Sequence, residues 1–107
     1  METSDLLESV PRALVHLAYA LRGLANNQAS VLAAGRTVRD VIDSLERDFP
    51  GMRFHLCYET GELRPYVNIF LNRENIRYHQ GLDTPLPYGA ILHILPSVAG
   101  GTLSSVR

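Results

Sequence analysis

Tyr66-Val67-Asn68-Ile69-Phe70-Leu71-Asn72 is the stretch on which the fold turns. Val67, Ile69 and Leu71 fall on one face and Asn68, Phe70 and Asn72 on the other, the period-two pattern of a strand packed on one side. What it packs against is written upstream. Thr37 is placed to cap a helix, Asp40 completes a Thr-x-x-Asp box, and Val38, Val41, Ile42 and Leu45 recur at helical spacing. Arg39, Asp43, Glu46 and Arg47 take the opposite side, and Pro50-Gly51 ends the helix shortly after Asp48. A helix with one apolar stripe must lie on something, and the economical support is one face of a sheet. Val67, Ile69 and Leu71 are therefore expected to meet it.

Reading outward, Asn72 to Asn75 is turn-like, Ile76 to Tyr78 reads as a short strand, and Gln80 to Gly89 is a loop holding Pro85 and Pro87. A last strand is predicted from Ala90 to Leu95. Leu92 and Ile94 point inward, Ile91, His93 and Leu95 outward, and Pro96 ends it for want of a ladder donor. Ahead of the helix, Ala13 to Ala20 is a short apolar run that periodicity alone leaves open between strand and helix. Gly23 and the Asn26-Asn27 pair form a turn, and Gln28 to Ala33 follows, so a β-hairpin is the expectation. Residues 52–64 read as irregular with a turn at Thr60-Gly61, and residues 1–12 as a flexible leader. The order hairpin, helix, strand, short strand, strand describes an α+β domain: a mixed sheet of four or five strands with one main helix across it.

The 107 residues suffice for one core, which can bury roughly 65% of the unfolded surface. At 46% hydrophobic the chain is too apolar for disorder, and no run approaches a membrane span. A formal net charge of -1 argues against a general nucleic-acid binder. All ten basic residues are arginines; with no lysine the chain has no Schiff-base amine, no P-loop lysine and no internal isopeptide acceptor. The single cysteine, Cys57, cannot form an internal bridge, and the acidic start is not a secretory signal. A cytoplasmic setting is the expectation.

The most informative segment is the last: Ile94-Leu95-Pro96-Ser97-Val98-Ala99-Gly100-Gly101, followed by Thr102 to Arg107. Paired glycines after a final apolar strand make a thin segment that can enter a narrow cleft and present a backbone carbonyl. With Tyr66 to Asn72, Asn75-Ile76-Arg77 and Gly81-Leu82-Asp83-Thr84 preceding in that order, the chain resembles the ubiquitin-like β-grasp sulfur carriers. This is the family of the molybdopterin-synthase small subunit and the thiamine sulfur carrier, and the resemblance is strongest to its cysteine-biosynthesis branch.

The resemblance covers about residues 13–101. It implies a protein substrate rather than an enzyme, with no cofactor of its own. An E1-like enzyme would use ATP to adenylate the carboxylate of Gly101, and a sulfurtransferase or other sulfur donor would convert it to a thiocarboxylate for a sulfur-accepting synthase. Val98, Ala99, Gly100 and Gly101 would be the working tail. Most family members end at the glycine pair, so residues 102–107 imply prior cleavage between Gly101 and Thr102 by a zinc-dependent JAMM-type protease. The rival outcomes are a ubiquitin-like modifier conjugated through Gly101 and a molybdopterin-synthase small subunit. No nucleic acid or membrane partner is expected.

Phe70, Ile91, His93 and Leu95 share the outer face if their strands are neighbours, and would form an apolar patch for a partner. Cys57 reads as a small packed hydrophobe rather than a sulfur bearer. His16, His55, His79 and His93 lack metal-ligand spacing. The pairs Asp40, Asp43 and Glu59, Glu62 read as solvated surface, and so do Arg64, Arg73 and Arg77.

Overall fold

The computed structural model describes residues 10–96. Strands β1 (Arg12–Leu17), β2 (Ser30–Ala34), β3 (Val67–Leu71), β4 (Glu74–Asn75) and β5 (Ile91–Pro96) form one sheet in the order β2-β1-β5-β3-β4. The hairpin β1–β2 is antiparallel, β5 runs parallel to β1 and antiparallel to β3, and the sheet is therefore mixed. Helix α1 (Val38–Asp48) lies across one face, with Val38, Val41, Ile42 and Leu45 buried as the spacing predicts. They meet Ala13, Val15, Leu17, Val67, Ile69, Leu92 and Ile94, and these buried groups form one core.

The N-terminus of α1 follows from its sequence with one shift. Thr37 Oγ1 accepts from Asp40 N at 3.2 Å, but the Asp40 carboxylate accepts from Arg36 N at 3.1 Å, one residue further back than a reciprocal capping box requires. Ser44 is buried on the same helix, and its hydroxyl donates to the Ala34 carbonyl at 2.8 Å, tying the helix to β2.

Five expectations need correction. The first strand stops at Leu17, and Tyr19–Ala25 forms a 3-10 helix that buries Leu21 and Ala25; an apolar run satisfied both descriptions, and Ala18 N bonding to the Ile94 carbonyl marks the break. Residues 52–64 are not wholly irregular: α2 (Met52–Leu56) starts at Gly51, whose φ of 102° suits glycine, and buries Met52 and Leu56 four residues apart. Ile76–Tyr78 is a 3-10 turn rather than a strand. Its place beside β3 is taken by Glu74–Asn75, joined through a two-residue loop in which Asn72 and Arg73 both adopt positive φ. The last strand extends to Pro96, which pairs with Val67; its missing N–H falls where β1 has already ended. Finally, the predicted leader overlaps the sheet, since Pro11 is buried with its carbonyl accepting from Gly35 N, and β1 begins at Arg12. The rest of the leader lies outside the described residues.

Candidate functional site

The candidate site comprises two parts read from the sequence, the segment that follows β5 and the sheet face opposite the helix. Val98, Ala99, Gly100, Gly101 and Thr102 lie outside the described residues. Their point of departure is Pro96, at the end of β5, and β5 is the central strand of the five. Gly101 lies five positions beyond Pro96, a maximum extended reach of about 17 Å.

Period-two alternation along β5 buries Leu92 and Ile94 completely and leaves Ile91 and Leu95 39% and 42% exposed on the opposite face. The ladder places Phe70 directly across from His93 and Asn68 across from Leu95. Phe70, Ile91, His93 and Leu95 are thus brought onto one open face. The parallel ladder adds Leu14 beside Ile91 and His16 beside His93, and the hairpin adds Leu32, 65% exposed, across from Leu14. The His16 and His93 rings stack with centroids 4.7 Å apart and planes 23° apart. A hollow of about 590 Å³ lined by Phe70, Arg73 and Tyr78 continues the surface past β4.

Leu14 and His16 were missed because Ala13 to Leu17 is apolar at four of its five positions, and Leu32 because Val31 to Ala34 is apolar throughout, so parity could not be assigned. The parallel pairing to β5 supplies the parity. No group of three or more His, Cys, Asp or Glu side chains is arranged to hold a metal ion among the described residues.

Two of the arginines read as solvated are structural. Arg77 donates to the carbonyls of Arg64, Pro65 and Val67, the last at 2.6 Å, and so pins the segment entering β3. The guanidinium of Arg64 lies 5.0 Å from the Phe54 ring and 4.7 Å from that of Tyr58, while its Nε donates to the Phe54 carbonyl. Asp43 is paired with Arg53 at 2.9 Å. Glu46 accepts from the backbone of Arg53 and Gly51 at the start of α2, and these bonds hold its carboxyl below the ordinary range. Cys57 is buried in the core on the helical side, where desolvation pushes its thiol up.

Residues 15–101 match the ThiS family. The sulfur carrier protein CysO of Mycobacterium tuberculosis is 40% identical over 83 residues, which are 76% of this chain and 89% of the relative. A chain of the crystal structure of the Amycolatopsis orientalis BexX/CysO complex superposes with a TM-score of 0.78 at 35% identity, covering 83% of this chain and 99% of that one. The small archaeal modifier protein 1 of Methanosarcina acetivorans gives a TM-score of 0.74 at 32% identity, covering 86% and 98%. With a mixed five-stranded sheet, a helix across one face and a diglycine beyond the central strand, this chain belongs to the ThiS family of ubiquitin-like β-grasp sulfur carriers.

Proposed function

We propose that this chain, with residues 13–101 as its carrier domain, delivers sulfur from a thiocarboxylate on Gly101 to the synthesis of cysteine or of a sulfur-containing cofactor or metabolite. The observation that carries the reading is the diglycine at the fourth and fifth positions beyond the central strand of a head like that of CysO. A JAMM-type protease first adds water across the Gly101–Thr102 peptide bond and releases residues 102–107. The freed carboxylate attacks the α-phosphorus of ATP in an E1-like enzyme, giving the acyl adenylate and pyrophosphate. Sulfur at the sulfide level, delivered by a sulfurtransferase or other donor, then adds to the carbonyl and AMP leaves. The resulting thioacid serves a sulfur-accepting synthase.

The carboxylate is anionic and resists nucleophiles; adenylation supplies the leaving group, and the head contributes recognition. Phe70, Ile91, His93 and Leu95, with Leu14, His16 and Leu32, form the surface that docks the activating enzyme, because exposed apolar area of this kind is stabilised by a partner. The setting is cytoplasmic; no described helix is long and apolar enough to cross a membrane. The test is intact mass of the protein from its native host. A chain ending at Gly101 with one oxygen exchanged for sulfur is expected, and retention of Thr102 to Arg107 in a thiocarboxylated product would exclude the processing step.

Similarity to a small archaeal modifier protein favours a second reading, conjugation through Gly101 to amines of other proteins. It predicts a ladder of covalent adducts in place of the sulfur-bearing monomer.

A further inference from the structure

The two edges of the sheet are built differently. β4 closes one with two residues, and the side chains of Arg73, Glu74 and His79 gather beside it, His79 and Glu74 only 2.6 Å apart. A short, charged edge of this kind resists pairing with another strand. β2 closes the other edge with five residues, Ser30-Val31-Leu32-Ala33-Ala34, which include no charge, no proline and no glycine. A longer neutral edge is a template for strand addition.

The register fixes which backbone groups of β2 point outward. Leu17 N donates to the Ala29 carbonyl at 2.8 Å and Gly35 N to the Pro11 carbonyl at 2.9 Å, so the odd-numbered residues of β2 bond to β1. Leu14 N, which donates to the Ala90 carbonyl at 3.0 Å, gives the same parity from the other side of β1. Ser30, Leu32 and Ala34 therefore aim their N–H and C=O groups away from the sheet. Among the described residues only the Ala34 carbonyl has a partner there, the Ser44 hydroxyl at 2.8 Å, and a carbonyl can accept twice. The side chain of Leu32 is 65% exposed on the open face. It pairs with Leu14, and Leu14 with Ile91, so an apolar row runs from the central strand to this edge and stops.

We propose that β2 pairs with β2 of a second copy of this chain, antiparallel about a two-fold axis at Leu32, so that the two sheets become one. In this register Leu32 meets Leu32 of the second copy and each Ser30 meets an Ala34; all three outward-facing residues are used, and each facing pair exchanges two backbone hydrogen bonds. The apolar row then crosses the axis unbroken, Ile91, Leu14 and Leu32 of one copy running into the same residues of the other. Centring on Ser30 or Ala34 would pair fewer groups and interrupt the row. Any extended segment could meet the backbone, but β2 also supplies the leucine that prolongs the row, and its neutrality brings no like charges together. Arg12 lies on the row of Ala34 and so faces Ser30 and His16 of the second copy, not its Arg12. Pairing through β2 leaves Phe70, His93, Leu95 and the end of β5 open, and it is independent of what happens at Gly101.

A five-residue edge is a small interface, so the dimer is expected to be reversible, with a Kd on the order of 100 µM. Sedimentation equilibrium of the full chain between about 10 µM and about 1 mM measures it. In the same range amide exchange at Leu32 and Ala34 is expected to slow at least about threefold, while exchange in β4 is unchanged; this readout needs no variant. Leu32→Glu and Leu32→Arg, checked for folding by urea unfolding, are each expected to weaken self-association at least about tenfold because like charges meet on the axis. An equimolar mixture of the two should dimerise again. Leu95→Glu, on the same face but away from the axis, should dimerise as wild type does. A chain still monomeric at about 1 mM would overturn the inference, as would a mixture no more dimeric than its components. Dimers lost in Leu95→Glu but kept in Leu32→Glu would overturn it in favour of stacked open faces. Protection of Leu32 that is equal at both concentrations would overturn it too, and assign the edge to residues 1–9 of the same chain.

Discussion

The two faces of β5 carry residues of the same kind to opposite ends. Leu92 and Ile94 are fully buried beneath α1, whereas Ile91 and Leu95, on the same six-residue strand, stand in solvent. Hydrophobicity does not separate them; parity does. Inner apolar area is stabilised on folding by about 25 cal/mol per Å². The part of the outer apolar area that stays exposed, 39% of Ile91 and 42% of Leu95, gains nothing from folding and becomes useful only against another surface. One strand thus contributes both to the stability of the head and to its open apolar face.

The comparison can be broken in four ways, of which the first is the largest. Ile94→Ala is expected to cost about 2–5 kcal/mol and Leu95→Ala less than about 1 kcal/mol in urea unfolding with unchanged m; equal losses would end the distinction. On the helical side, Gly35→Ala is expected to cost about 1–3 kcal/mol. A Cβ there would lie 2.7 Å from Asp40 Cβ and 2.8 Å from Val41 N, contacts that force β2 and α1 apart. Thermal or urea unfolding without a shift would show that this junction yields.

Phe70→Asp, on the open face, is expected to keep stability within about 1 kcal/mol while lowering activation by the E1-like partner about tenfold, or about 1.4 kcal/mol. Unchanged pyrophosphate release would take the patch out of the mechanism. The smallest effect belongs to Glu46→Gln. Because the folded-state pKa of Glu46 lies below its ordinary value, its stabilisation is fully present above that ordinary value and is lost as pH falls through the lower, folded one. The variant should be slightly less stable near neutrality and show a flatter acid limb in a pH series of unfolding midpoints.

Much of this was legible where residues alternate or recur cleanly. Val67 to Leu71 and the stripe of α1 each carry one period, the inward parity assigned to Leu92 and Ile94 followed, and tertiary structure agreed with all three. Legibility failed where the chain is apolar without a period, as from Arg12 to Ala25, and where an element is too short to show one, as in α2 and β4. Arg77 was unreadable for another reason: its three carbonyl partners are ten or more residues away, and nothing local marks an arginine as a staple. The Phe70 patch was half visible, its β3 and β5 members set by alternation and its β1 and β2 members set only by pairing.

The position of β5 bears on when the molecule becomes usable. It is the last strand of the described chain, yet it inserts between the β1–β2 ribbon and the β3–β4 ribbon and joins them. During translation those ribbons must wait with unpaired edges until the final segment clears the ribosome. Nascent or truncated chains consequently lack the open face that Phe70, Ile91, His93 and Leu95 share, and a partner reading that face would engage only molecules that have finished folding.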